Sequence, residues 1–328
     1  MSADAKILVV DDEPHIRRIL QFLLQQEGFE VVLAENGEEA LAYLGQERPD
    51  LVLLDVMMPR MDGYTVLKEI RKSYETKSLP VVMLTAKGES AEKVKGLKGG
   101  ANDYLTKPFN QEELLLRMQN MLAASKAQRE ANPLTGLPGN RAIERECLDR
   151  LERAESFGFM YLDIDRFKAY NDNYGYSRGD EAICYLASIL RDCSSKSGSS
   201  QDFIGHVGGD DFVLFTDSSR SESLAWDIIE AFDSRVESLH DPEDCERGFL
   251  EVETRAGVVE KIPLITLTVA LVVDARGRFQ HPAQLSDLAA ELKRYGKSLV
   301  GSVVVKERRS PEDPPELVPS SKSARDPA

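Results

Sequence analysis

The sequence lacks the features that mark extracellular, membrane-bound and nucleic-acid-binding proteins. Its four cysteines show no CxxC spacing, so neither a disulfide framework nor a zinc site is expected. No apolar run approaches the ~18 residues that a membrane span needs, and the first residues show neither the basic nor the apolar region of a signal peptide. We therefore expect a cytoplasmic protein without a membrane partner.

Positive charge is also in short supply. The 328 residues include 41 Lys and Arg against 56 Asp and Glu, which gives a formal net charge of −15. An acidic surface repels the phosphate backbone, so nucleic acid is not expected as a partner. The rest of the composition is that of an ordinary globular protein, with 42% apolar residues and a length suited to two domains.

The first part of the chain, residues 1–124, alternates short apolar runs with helical patterns. This order is typical of a parallel sheet with crossover helices. We predict an α/β domain with a doubly wound, five-stranded parallel sheet, whose strands lie at 7–10, 31–34, 51–54, 81–84 and 103–105. The last helical pattern continues without a breaker into a polar stretch, which predicts a helical linker over 125–132.

The second part, residues 133–309, mixes strand and helix patterns in another order. It has an apolar strand that ends in Asp163, a hairpin around Gly208 and Gly209, and two later strand-like runs at 249–253 and 264–273. These features predict an α+β domain with a mixed, largely antiparallel sheet. Residues 310–328 are rich in proline and poor in large apolar side chains, so we predict a disordered tail there.

Five polar residues stand where the strands of the predicted parallel sheet end, and ligands bind beyond such ends. They are Asp11, Asp12, Asp55, Thr85 and Lys107. Three converging carboxylates repel one another without a cation, so the acids predict a Mg²⁺ site. Asp55 is then a nucleophile for a phosphoryl group, whose oxygens Thr85 and Lys107 bind. Each acid alone could instead be a strand-end cap; the set of five favours a site.

A second group of polar residues surrounds the predicted hairpin. Gly208 and Gly209 can adopt positive φ and let a phosphate approach the backbone, and the acids Asp210 and Asp211 follow them. A carboxylate from each strand, Asp163 and Asp210, can hold Mg²⁺ between nucleotide phosphates. A Gly-Gly-Asp turn is also common in hairpins without a ligand, so the turn alone is weak support.

Four residues outside the hairpin extend the predicted nucleotide site. The amide of Asn171 and the carboxylate of Asp180 can read the edge of a purine base. Lys293 and Lys297, far along the chain, can neutralise the phosphate charge. We predict a purine nucleotide as the ligand.

Four segments of the first domain resemble the receiver domain of two-component response regulators. They are VVDDE (9–13), LLDVMMPRMDG (53–63), MLTA (83–86) and DYLTKPF (103–109). The resemblance implies a flavodoxin-like fold, Asp55 as the phosphoacceptor, Asp11 and Asp12 as Mg²⁺ ligands, and Thr85 with Lys107 as the switch pair. It also implies a cognate sensor histidine kinase as partner. Tyr104 is either the family's rotating aromatic residue or a half-buried strand residue.

Segments of the second domain resemble the GGDEF family, whose active members are diguanylate cyclases that make cyclic di-GMP from two GTP molecules. They are NPLTGLPGNR (132–141), DIDRFKAYND (163–172), GGDDF (208–212) and ELKRYGK (291–297). The resemblance implies a nucleotide-cyclase-like fold, Asp163 and Asp210 as metal ligands, Asn171 and Asp180 at guanine, and Lys293 at the triphosphate. Both resemblances imply a homodimer that phosphorylation favours.

Several positions depart from the GGDEF pattern. Asp211 replaces the usual Glu, Lys297 replaces an Arg, and Ala270 replaces a Gly. The Arg-x-x-Asp motif for product inhibition keeps Asp202 but has Ser199 in the arginine position, so we expect no feedback through that site. Two functions stay open: a diguanylate cyclase, or a catalytically silent output domain that binds GTP, cyclic di-GMP or a protein and signals by contact.

Overall fold

The computed structural model describes residues 5–86, 100–196, 202–253, 259–274, 277–307 and 315–319. The chain divides into two compact units, 1–129 and 130–328. Within the described residues, no helix is both long enough and apolar enough to pass through a bilayer.

The first unit is built on a five-stranded parallel sheet, which confirms the predicted fold class. Its strand order is β2-β1-β3-β4-β5. The strands are β1 (Lys6–Val10), β2 (Glu30–Ala34), β3 (Leu51–Asp55), β4 (Val81–Ala86) and β5 (Asp103–Lys107). The central strand β3 is buried at every residue, because helices cover both faces of such a sheet.

The described helices of the first unit begin at recognisable capping residues. They are α1 (Pro14–Gln26), α2 (Gly37–Leu44), α3 (Gly63–Lys72) and α4 (Gln111–Glu130). Pro14 opens α1, while the side chains of Asn36 and Asp62 accept backbone hydrogen bonds in the first turns of α2 and α3. A Cβ at Gly63 would lie 2.2 Å from the carbonyl oxygen of Asp55, so glycine allows α3 to start close against the end of β3.

The second unit contains a six-stranded sheet in the order β13-β12-β11-β6-β8-β7. These strands are β6 (Phe157–Asp165), β7 (Phe203–Gly208), β8 (Asp211–Asp217), β11 (Thr266–Asp274), β12 (Val303–Lys306) and β13 (Glu316–Leu317). β11 and β12 run parallel, and the other neighbours are antiparallel. The mixed, mostly antiparallel sheet confirms the fold class predicted for this part of the chain.

Helices cover both faces of this sheet, because β6 alternates its apolar side chains between two cores. Met160, Leu162 and Ile164 point into one core, and Phe157 and Phe159 into the other. The described helices are α5 (Asn140–Glu152), α6 (Phe167–Tyr174), α7 (Tyr176–Lys196), α8 (Ser221–Asp233), α9 (Pro242–Arg247) and α10 (Pro282–Gly296), with a short 3-10 helix at Val236–Leu239.

The structure extends or corrects the sequence-based expectations in three segments, the first of which is a predicted strand whose partner was not predicted. The run at 249–253 forms β9 (Phe249–Glu253), which pairs with β10 (Val259–Pro263) in a separate two-stranded sheet, whereas the later run joins the main sheet as β11. Helix α4 ends at Glu130, inside the predicted linker, and Ala131 then forms an isolated bridge with Pro138.

The third difference lies in the predicted disordered tail. Glu316 and Leu317 pair with β12, and Val318 is buried against the core. The adjacent apolar residues Leu317 and Val318 are enough here to add an edge strand. The remaining tail residues, 310–314 and 320–328, lie outside the described residues.

Candidate functional site

The three predicted acids of the first unit converge at one edge of the parallel sheet. One carboxylate oxygen from each of Asp11, Asp12 and Asp55 lies within 4.8 Å of the other two. Asp11 and Asp12 directly follow β1, and Asp55 is the last residue of β3. Since β1 and β3 are parallel neighbours, their carboxyl ends meet, as the strand pattern predicts. Three hard oxygen donors at this spacing fit a magnesium ion.

Lys107, the last residue of β5, places its ammonium group between two of these acids. Its Nζ lies 2.6 Å from Oδ2 of Asp11 and 3.1 Å from Oδ1 of Asp55. Burial alone would lower the pKa of Lys107, but the hydrogen bonds and charges of the two aspartates outweigh it and raise this pKa. The lysine is therefore a fixed positive charge beside Asp55.

The proposed nucleophile, Asp55, is itself nearly buried, with 5% of its surface exposed. Burial raises its pKa to about 6, and the charges of Asp11 and Asp12 act in the same direction. Lys107 opposes both effects. The carboxylate is thus less stable as an anion than that of an ordinary aspartate. This favours the formation of a covalent bond or the binding of a cation.

Thr85 lies at the same end of the sheet, one residue after the position of β4 that pairs with Asp55. It lies near the end of β4 and is fully buried, and its Oγ1 has no hydrogen-bond partner among the described residues. A buried hydroxyl without a partner is costly, so it is a candidate donor to a ligand oxygen. Tyr104 on β5 is also buried, its hydroxyl has no hydrogen-bond partner in the part of the chain that the structure describes, and burial raises its pKa to about 12. The two interpretations of Tyr104 both stay predictions.

Arg17 is a residue of this site that the sequence reasoning missed. Its guanidinium is buried and donates from Nη1 to the carbonyl oxygen of Asp11 at 2.7 Å and from Nη2 to Oε1 of Glu35 at 2.6 Å. The arginine thereby fixes the backbone of the acidic loop. The sequence pointed to Arg17 only in that it is a charged residue next to the apolar face of α1.

The second unit places two predicted site acids opposite each other on neighbouring strands. Asp163 of β6 pairs in register with Asp211 of β8. Lys293 of α10 reaches both, with its Nζ 3.1 Å from Asp163 and 2.9 Å from Asp211, and it lies over the ring of Tyr161. Lys297 approaches Asp163 to 2.5 Å. The two lysines that we predicted for phosphate thus neutralise the acids in this structure.

Burial controls the charge of the acids in this second cluster. The pKa of Asp163 is raised to about 6, first by burial and then by Asp211 and Asp210, while Lys297 and Lys293 lower it. Burial also raises the pKa of Asp210. These acids have the donor chemistry for a magnesium ion once the lysines have another partner, such as phosphate.

The glycine turn between β7 and β8 is open on its outer side. Gly208 has φ 149° and Gly209 has φ 59°, which favour glycine. A Cβ on either residue would meet no described atom within 4 Å, so backbone conformation rather than crowding requires glycine there. The exposed turn leaves room for a phosphate group to approach the backbone.

The predicted purine-reading residues lie on successive helices. Asn171 is on α6, and its Oδ1 is buried without a hydrogen-bond partner among the described residues. A Cβ on Gly179 of α7 would lie 1.8 Å from that oxygen, so this glycine makes the space for the amide. The next residue, Asp180, is exposed. Guanine contact by this pair stays a prediction.

The structure shows the surroundings of two residues in the segments that depart from the GGDEF pattern. Ala270 is fully buried in the core beside α5 and α10. Asp202 accepts hydrogen bonds from Ser194, Thr216 and Arg220, at 2.8, 2.8 and 3.0 Å. These three internal donors give Asp202 a structural role, and the loss of feedback stays a prediction. Residues 199–201 of the motif lie outside the described residues.

Comparisons with known proteins agree with this division of the chain. The response regulator receiver domain family matches residues 7–119, and the family described as "Diguanylate cyclase, GGDEF domain" matches residues 130–270.

Among curated proteins, the "Probable transcriptional regulator ycf27" of Porphyra purpurea is 43% identical over 171 residues, which cover 51% of this chain and 62% of that protein. "Transcriptional regulatory protein ResD" of Bacillus subtilis (strain 168) is 48% identical over 119 residues, covering 36% of this chain and 48% of that protein. The chain thus spans about half to three fifths of these relatives.

Among solved structures, a putative response regulator from Chloroflexus aurantiacus J-10-fl is 43% identical, with a TM-score of 0.36. The match covers 37% of this chain and 98% of that one. The two family matches show that the chain contains a response regulator receiver domain followed by a GGDEF domain.

Proposed function

We propose that this response regulator accepts a phosphoryl group on Asp55 from a sensor histidine kinase and thereby controls the GGDEF output domain. The observation that carries the first part is the convergence of Asp11, Asp12 and Asp55 around the ammonium group of Lys107. An acidic pocket with a buried nucleophile and a fixed cation suits phosphoryl transfer.

The residues of this pocket have distinct parts in the proposed transfer. A carboxylate oxygen of Asp55 attacks the phosphorus atom, the bond to the donor breaks, and an acyl phosphate forms. Lys107 and Thr85 then bind phosphoryl oxygens, since the one carries a positive charge and the other an unpartnered hydroxyl. Mg²⁺ held by Asp11, Asp12 and Asp55 would offset the negative charge that gathers there.

For the output domain we propose diguanylate cyclase activity, in which two GTP molecules give one cyclic di-GMP and two pyrophosphates, since the 3′-hydroxyl of each nucleotide attacks the α-phosphate of the other. Each domain holds one GTP. Two domains must therefore meet, which explains why a phosphorylation-favoured homodimer belongs to the proposal. Support comes from the cluster of Asp163, Asp211, Lys293 and Lys297 beside an open glycine turn.

The second candidate function is a silent output domain that binds nucleotide or a protein partner and signals by contact. Two observations favour it. Asp211 has a side chain one methylene shorter than the usual Glu, and both oxygens of Asp163 already pair with lysines. A misplaced carboxylate can cost about a hundredfold in rate.

The test is to incubate the full-length protein with GTP and Mg²⁺, with and without acetyl phosphate, and to quantify cyclic di-GMP by chromatography. The proposal predicts product that increases with the phosphodonor, and no such increase in Asp55→Asn. Binding of GTP or cyclic di-GMP without any product would establish the silent domain instead.

A further inference from the structure

One buried histidine beside the glycine turn is not explained by the phosphoryl or nucleotide chemistry. His206 lies in β7, with 2% of its surface exposed. Its backbone N–H donates to the carbonyl of Pro138 at 2.8 Å, and its ring stacks on Phe212 at 4.3 Å with an interplanar angle of 11°. The ring is therefore fixed between the turn that follows α4 and the first residues of β8.

Both ring nitrogens of this histidine have partners, and the partners determine its tautomer. Nε2 lies 2.9 Å from the carbonyl oxygen of Gly209, which can only accept, so Nε2 carries the hydrogen. In the neutral ring Nδ1 is then an acceptor, and the hydroxyl of Thr135, whose Oγ1 lies 3.0 Å away, donates to it. The result is a one-way chain of hydrogen bonds from Thr135 through His206 to Gly209.

The start of this chain is itself held in place. The side chain of Asn132 accepts from the backbone N–H groups of Leu134 and Thr135 at 2.9 and 3.2 Å. Arg191 donates to the carbonyl oxygen of Thr135. Thr135 is buried, so its hydroxyl has a fixed direction toward the histidine. The loop after α4 thus offers a rigid anchor.

The chain of hydrogen bonds ends at the glycine turn, where the backbone is irregular. Gly208 and Gly209 have positive φ values, and the strand pairing is irregular between His206 and Gly208. Glycine has the largest conformational freedom of any residue, so such a turn samples other shapes unless it is held. The two acids Asp210 and Asp211 follow directly, and their placement depends on the turn.

We propose that His206, held as the neutral Nε2–H tautomer by Thr135, is the positioning residue that fixes the glycine turn and couples it to the loop at 131–139. Burial lowers the pKa of His206 and so favours the neutral ring, although the Gly209 hydrogen bond and the charges of Asp211 and Asp210 act in the opposite direction. The inference deepens the proposed function and depends on it only where nucleotide binding is measured.

The first test uses hydrogen exchange on the full-length protein without nucleotide. Thr135→Val removes the hydroxyl while keeping the side-chain shape, and Thr135→Ser is the matched control that keeps the donor. We expect amide exchange in the peptide that spans the glycine turn to become about tenfold faster in Thr135→Val and to stay unchanged in Thr135→Ser. Equal exchange in the valine variant would overturn the proposal, whether or not the protein binds GTP.

The second test is spectroscopic and reads the tautomer directly. With ¹⁵N-labelled histidine, the His206 signals are identified by their loss in His206→Phe, which keeps a ring for stacking. The proposal predicts a neutral ring with hydrogen on Nε2 in the wild type and a changed tautomer balance in Thr135→Val. A hydrogen on Nδ1, or a protonated ring at pH 7, would overturn it.

The nucleotide readout separates this inference from the proposed function. We expect GTP to bind His206→Phe and Thr135→Val about tenfold more weakly than the wild type and Thr135→Ser. If the wild type binds GTP and the valine variant binds it equally well, the positioning role is wrong. If the wild type binds no GTP while the exchange and tautomer results hold, the proposed function fails and the inference stands.

Discussion

The two acidic sites of this protein compensate the repulsion between their carboxylates in different ways. In the receiver domain, Asp11, Asp12 and Asp55 converge beside one lysine, Lys107, which pairs with Asp11 and Asp55, so the pocket keeps a net negative charge. Its acids come from the ends of parallel strands that are fixed by the sheet. The pocket is therefore ready for a divalent cation without further change.

In the GGDEF domain the acids face each other across antiparallel strands, and two lysines, Lys293 of α10 and Lys297 directly after it, cancel most of their charge. Asp163 has a lysine at each oxygen, and Asp211 shares one of them. A cation must compete with these ammonium groups until phosphate draws them away. The comparison predicts that the same residue types bind a metal ion unaided in one domain and only together with a nucleotide in the other.

The largest expected effect concerns the receiver nucleophile. Asp55→Asn should abolish phosphoryl uptake from acetyl phosphate, because an amide oxygen cannot form the acyl phosphate. Intact-protein mass spectrometry measures the added phosphoryl group. The control is Asp103→Asn, which removes the acid at the first residue of β5. This acid pairs with Arg117 outside the pocket. Labelling that persists in Asp55→Asn would refute the assignment.

The next effect sharpens the comparison at the GGDEF site. Asp211→Glu restores the missing methylene and should raise cyclic di-GMP production by up to about a hundredfold if carboxylate reach limits the rate. Product per unit time in saturating GTP is the measurement. Asp217→Glu, at the exposed far end of β8, is the control. No increase would show that the shorter acid is not the defect.

A smaller effect is expected at the lysine pair. Lys297→Gln removes the ammonium group 2.5 Å from Asp163 and should tighten Mg²⁺ binding to this domain by about tenfold in the absence of nucleotide. Calorimetric titration measures it, with Lys306→Gln, a lysine that pairs with Glu222, as the control. Unchanged or weaker binding would break the proposed contrast between the sites.

The smallest effect is a pH dependence of the receiver. The pKa of Asp55 is raised to about 6, so the nucleophilic anion is lost as the pH falls through that value. In the protein without Mg²⁺, the carboxyl group of Asp55 should titrate with a midpoint near 6, which ¹³C NMR of labelled aspartates measures. Lys107→Gln should shift the midpoint upward, because Lys107 lowers the pKa of Asp55. A midpoint near 4 would contradict the burial effect.

Most of the receiver site could be predicted because it follows from strand order alone. Once 7–10 and 51–54 are read as adjacent parallel strands, the convergence of Asp11, Asp12 and Asp55 is a consequence. The role of Arg17 could not be predicted, since it depends on the rotamer of a helix residue and on a loop carbonyl.

The GGDEF site was less predictable for a physical reason. The sequence assigned Lys293 and Lys297 to phosphate, but buried acids without a ligand need counterions, and these lysines are within reach. The role of His206 could not be predicted, because its partner Thr135 lies 71 positions away in the sequence. The composition of the tail led to the prediction of disorder. The pairing of Leu317 and the burial of Val318 depend on an exposed strand edge, which composition does not reveal.

The most direct test of the central contrast is a magnesium titration of the full-length protein without nucleotide, with Asp12→Asn and Asp163→Asn in parallel. The account predicts one equivalent of Mg²⁺ in the wild type, which Asp12→Asn loses and Asp163→Asn keeps. No uptake by the wild type, or uptake that only Asp163→Asn removes, would contradict it.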